Sequence, residues 1–546
     1  MLVKVLLKLR AIRAYYVTTP VERLLAAHCA RRQPRTDENT SLLALQCVED
    51  HLYLGTFGEI VAALRARTPL RVEQYVFRSL RHGESAGLRG WLWTRLAVNR
   101  FSDQKWERLY ASFCDGIAVR SAAWLSPFAE LRIWRQARAI LRGYRDKDQF
   151  VALSVNGVQI GDLVIDSYIR YRPWPEFRPR DPYAARVLRQ ALRDVEKAFN
   201  YFRSRQPRVF LTSYSCYVQH GVPVRVAVAL GVEVISFGNY QKMAKPLSIE
   251  DTTHLSEHWN YRRHFEALPA HEQAQLLDEA NDRLRGRMQG EIDNAIGYMR
   301  KSAYDVRNCD VPDVKDAVVI YLPDFYDGIH VYRWSVFHDF WEWTRFTIET
   351  LEKASIPFWI KGHPNVAPDS VFVYDMIRMR YPQARFLPPG VTTAQLARAG
   401  MACGASPRGT VLSELPYLGV PVLAGGDHPH ATFDLQEPAR SIAEYQRRLL
   451  QAQFLPRDPE TMRRNACIFY AMHNLCFDAD QVALRDLWLD LRGRTMTLSP
   501  EDPDGIVRGF QHMGRMPHFL RQIEEWAAIL RQAPDPANAS GARRAA

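Results

Sequence analysis

The feature that most limits what this chain can fold into lies between Ile356 and Leu435. Three short apolar runs, Phe358–Ile360, Met401–Cys403 and Pro421–Ala424, each end in small or polar residues at the start of a loop. In an open α/β sheet, ligands sit in the crevice outside the carboxyl ends of the strands. The polar residues of this stretch fall there. Lys361, His363 and Pro364 follow the first run, Gly404–Thr410 with Ser413 and Glu414 the second, and Gly425–His430 the third. That pattern suits a phosphorylated ligand, with a nucleotide-sugar as the leading candidate.

Breaking the bond between a sugar and a phosphate leaves negative charge on the phosphate. A protein without a metal stabilises that charge with a helix N-terminus, backbone N–H groups and one or two cations. Gly409 and Thr410 are expected to open a helix over Thr410–Leu418, with Arg408 just before it and Lys361 or His363 nearby as positive charge. Ser413 and Glu414 then fall in the first turns. There Glu414 either accepts hydrogen bonds from ribose hydroxyls or is simply an acid favoured by the helix dipole. His428 and His430 have metal-ligand spacing, but no third ligand stands at a suitable distance. They read as loop residues facing the cleft, and no metal or other cofactor is expected. Asp324 and Asp327, directly after the apolar run Ala317–Leu322, and Asp427 with His428 are candidates for contacts to a donor sugar or for orienting their loops. No glycine-rich cradle of the dinucleotide or Walker kind accompanies them.

Upstream, Ser41–Val48, a helical pattern over Gly55–Ala66 and an alternating run Arg71–Phe77 give the β-α-β opening of a Rossmann-like domain. Residues 85–148 read as a helical insertion shaping an acceptor cleft or an interface. Within Phe150–Arg172, Asp162, Asp166 and Arg170 recur every four residues and would share one helical face. They are either a capped helix start with an internal Asp166–Arg170 ion pair, or groups for acceptor binding or base catalysis. A helix over about 184–203 leads to a strand Arg208–Thr212. The loop SYSCYVQHG, a helix beginning near Pro223 and a strand Val232–Phe237 follow. His220 in that loop is a candidate proton acceptor, or only a residue at a helix start. Residues 257–301 read as bridging helices. The polar, aperiodic segment Ser302–Asp316 is expected to be the linker.

These readings predict an N-terminal helical extension (1–40), an acceptor domain (41–301), a linker (302–316) and a nucleotide-sugar domain (317–490). C-terminal helices (491–532) and a disordered tail (533–546) complete the chain. A formal charge of +12 over 546 residues favours acidic partners without choosing among them, and the aromatics follow no nucleic-acid module pattern. Eight scattered cysteines without a CxxC pair fit buried thiols in a reducing compartment, which places the chain in the cytoplasm. No apolar run approaches the ~20 residues that span a bilayer. The first residues alternate Lys4, Lys8, Arg10 and Arg13 with Leu2, Val5, Leu6, Leu9 and Ile12, unlike a signal peptide. As a helix they would be amphipathic and basic, suited to the inner face of an anionic membrane or to packing on their own domain.

KGHPN (361–365) with GTVLSELPYLGVPVLAGGD (409–427) resembles the carboxy-terminal half of bacterial capsule-polysaccharide and surface-carbohydrate synthesis proteins of the GT-B type. These include Kdo transferases that use CMP-Kdo and, more distantly, sialyltransferases with an HP motif. GDLVIDSYIR (161–170) and YLPDFYDGIHVYRW (321–334) also look like that group. The resemblance implies an α/β, GT-B-like fold, two Rossmann-like domains facing a cleft, with helical insertions. It implies transfer of a sugar, CMP-linked sooner than UDP- or GDP-linked, to a surface polysaccharide or lipid-linked acceptor. By match it assigns His363 and Thr410 or Ser413 to the nucleotide phosphate, with Lys361 nearby. The acid or base would lie in the first domain, where Asp162, Asp166 and His220 are the candidates. CDP-glycerol-type polymerases also carry a K-x-HP segment, so a polyol-phosphate transferase stays open, as does a non-catalytic glycan-binding or assembly protein.

Overall fold

The computed structural model describes residues 16–30, 40–76, 80, 100–121, 123–172, 174–238, 243–255, 257–293, 309–363, 370–431, 438–497 and 502–532. The basic segment at the N-terminus up to residue 15 and the tail from 533 lie outside the described residues. The chain forms two compact units: Met1–Arg172 with Arg178–His254 and Asp478–Ala546, and Pro173–Phe177 with Leu255–Phe477.

In the first unit the strands are β1 (Ser41–Gln46), β2 (Leu70–Val76), β3 (Gly116–Arg120), a short hairpin of β4 (Ser154–Val155) and β5 (Val158–Gln159), β6 (Val209–Thr212), β7 (Glu233–Phe237) and β8 (Ala244–Leu247). Apart from the hairpin they make one sheet in the order β3-β2-β1-β6-β7-β8. All neighbours in it are parallel except the edge pair β7–β8. This is the doubly wound pattern, whose order reverses between β1 and β6. β3 falls within the expected helical insertion. Its five residues, GIAVR, are too short to show an alternation. The helix expected to begin at Pro223 begins at Tyr217, with Pro223 inside it.

The second unit holds β9 (Val318–Tyr321), β10 (Phe358–Lys361), β11 (Cys403–Ser406) and β12 (Val422–Ala424), all parallel, in the order β10-β9-β11-β12. Its reversal lies between β9 and β11. The second strand of the opening stretch is therefore displaced from Met401–Cys403 to Cys403–Ser406. Small residues there read as loop, but they are what the packing requires. A Cβ on Gly404 would stand 2.1 Å from Leu415 Cδ1.

Two expected boundaries move. The division between the units falls at 254/255, ahead of the segment 302–316. The helices Tyr261–Glu266 and Ala270–Met288 bury Phe265, Ala280 and Leu284 against Cys467, Phe469 and Tyr470 of the second unit. The C-terminal helices Ala479–Thr497, Pro503–Met513 and Pro517–Arg531 return to the first unit. There Trp488, Phe510 and Trp526 share a core with Leu45, Phe57 and Phe237. Ser41 Oγ donates to the Leu530 carbonyl at 2.6 Å, fastening the last helix beside β1.

Candidate functional site

In the second unit the loop after β9 (322–339) is the hub of the sheet's carboxyl edge, and three aspartates tie it to its neighbours. Asp324 Oδ1 accepts from Tyr326 N at 3.1 Å and from Ser370 Oγ at 3.2 Å, linking it to the segment after β10. Asp327 meets the Arg408 guanidinium at 3.0 Å, and Arg408 Nη1 donates to the Gly328 carbonyl at 2.7 Å. These contacts bridge the loops after β9 and β11, across the point where strand order reverses and ligands of open α/β sheets bind. Asp427, after β12, accepts from Arg333 N at 3.3 Å, and its own amide donates to the Trp334 carbonyl at 2.9 Å. Gly426 makes this approach possible, since a Cβ there would stand 2.9 Å from both Ser335 Cα and the Trp334 carbonyl oxygen. The segments YRW and GGD, far apart in the chain, thus meet at one edge.

The turn into the next helix is tighter than expected. Gly409 has φ +118°, a conformation that favours glycine. The helix runs Val411–Tyr417, and no side-chain hydrogen bond caps it at Thr410. The amides of Leu412, Ser413 and Glu414 already donate to the carbonyls of Gly409 and Thr410. A phosphate at this turn would meet the amides before them, and Arg408. Glu414 is buried and paired with the equally buried Arg287. Lys361 Nζ donates to the Val391 carbonyl at 2.5 Å, and burial lowers its pKa. His363 anchors its loop by donating its amide to Tyr374 Oη at 2.8 Å; Pro364 and Asn365 lie outside the described residues.

Ser413 leads to a group that local spacing does not reveal. Its Oγ lies 2.7 Å from His430 Nδ1 and 3.0 Å from the Thr410 carbonyl. With the hydroxyl proton on that carbonyl, His430 carries its proton on Nδ1. His430 stacks on His428 with ring centroids 5.3 Å apart and meets His473 at 5.6 Å. His473 Nδ1 faces Tyr261 Oη at 2.8 Å, and His258 Nε2 faces Asp427 Oδ1 at 2.9 Å. Burial lowers the pKa of His428 and His430 well below 6.5 and that of His473 to about 3. Neighbouring positive charge adds to the shift, first from Arg408 at His428. These three rings are therefore neutral at physiological pH. They offer hydrogen-bond donors and acceptors and leave Arg408 as a cation of the edge. His473 sits on a single π turn, Ala471–Leu475, a distortion common at functional positions. Among the described residues, no group of three or more His, Cys, Asp or Glu side chains is placed to hold a metal ion.

In the first unit, Gln46 at the end of β1 accepts Thr212 Oγ1 at 2.6 Å and Ser213 N at 3.3 Å, closing the floor of that sheet's reversal point. Tyr214 stands above it, 43% exposed, its ring 5.6 Å from His220 and 4.5 Å from His254. Tyr217 starts the following helix with φ +63°, a strained setting for a large side chain. His220 therefore lies at the carboxyl edge. Asp162 does not lie beside it in the helix packing. The helix Gly161–Tyr171 starts without a side-chain cap, and Asp162 instead takes both Arg225 nitrogens at 2.7 and 2.5 Å. Ser167 of the same helix receives Val218 N, and Tyr171 receives Gln219 Nε2. Asp162 thus sits beside Arg225, which lies five residues, or about 7.5 Å at 1.5 Å per residue, further along its helix than His220, away from the edge. Asp166 is buried on the same helix, near enough to Arg225 to raise that guanidinium's pKa alongside Asp162, against the opposing effect of burial.

No family model matches the chain, and no curated protein does. Among solved structures, it is similar to a UDP-GlcNAc 2-epimerase of Methanocaldococcus jannaschii in complex with UDP-GlcNAc and UDP. That match has 9% identity and a TM-score of 0.22, over 75% of this chain and 91% of the other. A Neisseria meningitidis UDP-GlcNAc 2-epimerase bound to UDP-GlcNAc matches with 9% identity and a TM-score of 0.20, over 90% and 99% of the two chains. Superpositions at that level carry no functional argument. The chain's own strand orders define its class: an α/β protein with two Rossmann-like units.

Proposed function

We propose that this chain is a glycosyltransferase that moves a sugar from a nucleotide-sugar donor to a capsule or other surface polysaccharide, or to a lipid-linked glycan. The donor is proposed to be CMP-linked and to carry an acidic sugar of the Kdo type. The observation that carries the reading is the Asp327–Arg408 bridge across the reversal point of the second sheet. It holds a guanidinium beside the Gly409 turn, at the place where such sheets bind phosphates. Arg408, the turn at Gly409–Thr410 and Ser413 would hold the phosphate and stabilise the charge left on it as the glycosidic bond breaks. His363 would approach from the β10 side. Asp427 and the neutral imidazoles around it would present hydrogen bonds to the sugar. The first unit is proposed to supply the group that accepts the acceptor hydroxyl's proton. His220 is the better-supported candidate there, because it stands at the carboxyl edge while Asp162 is neutralised by Arg225.

Incubation of the protein with CMP-sugars and CDP-polyols tests the assignment. CMP-sugar turnover that falls at least tenfold in Arg408→Ala supports it. Turnover of CDP-polyols alone would instead define a polyol-phosphate transferase.

A further inference from the structure

The helix Pro127–Arg142 of the first unit is unusual in what it leaves uncovered. It buries a narrow stripe, Ala129, Ile133 and Ala137. At 100° per residue, the opposite side carries Phe128, Leu131, Arg135, Arg138 and Arg142. Phe128 is 86% exposed and Leu131 44%, while Trp124 just before the helix is 66% exposed and Trp134 on its flank 42%. The outward face is thus apolar over its first half and basic over its second, and Arg145 continues the basic half past the helix end. The acid within this helix and the nearest acid of its neighbour are each engaged with a cation, while Asp146 and Asp148 follow past the helix end. Glu130 is held by Arg193 at 2.8 and 2.6 Å, and Glu196 of the neighbouring helix by Arg132 at 2.5 Å. Arg138 lies over the Trp134 ring at 5.2 Å. Two tryptophans, a phenylalanine and a leucine at one end, with a run of arginines behind them, match an interfacial helix. Aromatic side chains enter the headgroup boundary, and guanidinium groups pair with lipid phosphates.

We propose that the Pro127–Arg142 face docks this protein on an anionic phospholipid surface, with Trp124, Phe128, Leu131 and Trp134 entering the bilayer boundary and Arg135, Arg138 and Arg142 on the headgroups. Charge complementarity selects this occupant. A stripe of three arginines beside exposed aromatics would repel its own image in a second copy and attract a sheet of phosphates. The proposal stands apart from the catalytic reading, because it is measured without a sugar donor and on residues outside the candidate site.

Co-sedimentation of the full chain with vesicles of pure phosphatidylcholine, or of phosphatidylcholine with anionic phosphatidylglycerol added to give a negative surface potential, tests it. The expected result is binding to the anionic vesicles, weakened by added salt, with a blue-shifted tryptophan emission on binding. Phe128→Ser with Leu131→Ser, and separately Arg135→Glu with Arg138→Glu, should each weaken binding at least tenfold with the melting temperature retained. Phe454→Ser, at an exposed aromatic of the second unit, should leave it unchanged. Equal binding by wild type and both double variants would overturn the proposal, as would no binding by wild type. A wild-type dimer that Phe128→Ser with Leu131→Ser makes monomeric, with no change in vesicle binding, would give this face to a second copy and also overturn it.

Discussion

Lowering the pH should loosen the second unit, and His473 sets the scale. Its pKa is lowered from 6.5 to about 3 by burial and then by His258. In the unfolded chain it takes up a proton as the pH falls below 6.5, while in the folded chain it stays neutral. Its contribution is therefore fully present above pH 6.5 and is lost as the pH falls toward the folded value. Between pH 7.5 and 5 the loss amounts to ~2 kcal/mol, with a slope that steepens as the pH falls and approaches ~1.4 kcal/mol per pH unit near pH 5. His428 and His430, lowered in the same direction, steepen this, but their ring contacts couple the three protonations, so the total falls short of three independent terms. His473→Gln removes one titrating group and keeps an amide to meet Tyr261. Because the chain has two units, a single unfolding midpoint would mix them. Hydrogen–deuterium exchange at 465–475 in urea, at pH 7.5, 6 and 5, follows the second unit directly. Wild type should lose protection at lower urea as the pH falls, and His473→Gln should show a smaller shift by ~2 kcal/mol at pH 5. Identical pH dependence in the two proteins would refute the assignment of His473 as a buried neutral ring.

Other substitutions test the edge itself. Gly426→Ala puts a methyl 2.9 Å from the backbone of Trp334 and Ser335, where no side chain can swing away. It should cost about 1–3 kcal/mol, seen as a lower melting temperature together with weaker nucleotide binding. Glu414→Ala strands the buried Arg287 and should cost about 3–5 kcal/mol, read by urea unfolding. Glu414→Leu with Arg287→Met should recover most of that loss, and failure to recover would mean the pair does more than neutralise itself.

How far the residues announced this structure depends on distance along the chain. β9, β10 and β12 are runs of branched or aromatic residues, and their periodicity places them within a residue or two. β11 is CGAS, invisible to hydrophobic pattern because Leu415 and the neighbouring strands leave no room for larger side chains. The helix at Tyr217 begins before its proline, because the strained Tyr217 backbone turns the chain early. The polar segment 302–316 suggests a unit boundary, but helices on both of its sides pack into one unit. At the candidate site, the residues after each strand were legible as a set, since strand ends dictate where polar loops collect. Their partners were not. His258 meets Asp427 across 169 residues and Tyr261 meets His473 across 212, separations that no spacing rule spans. The spacing of Asp162, Asp166 and Arg170 suggests one helical series, and all three lie on the helix Gly161–Tyr171, but Asp162 does not cap it and the charge that engages it is Arg225, on another helix.

Isothermal titration of CMP, UDP and GDP into wild type and Arg408→Ala tests the central claim most directly. The account predicts that CMP binds wild type more tightly than UDP or GDP, and that Arg408→Ala weakens it at least tenfold, as expected for the loss of a charge-assisted phosphate contact worth ~1.5–3 kcal/mol. Absence of nucleotide binding to folded wild type, or CMP affinity indifferent to Arg408, would contradict a phosphate site at the β9–β11 reversal.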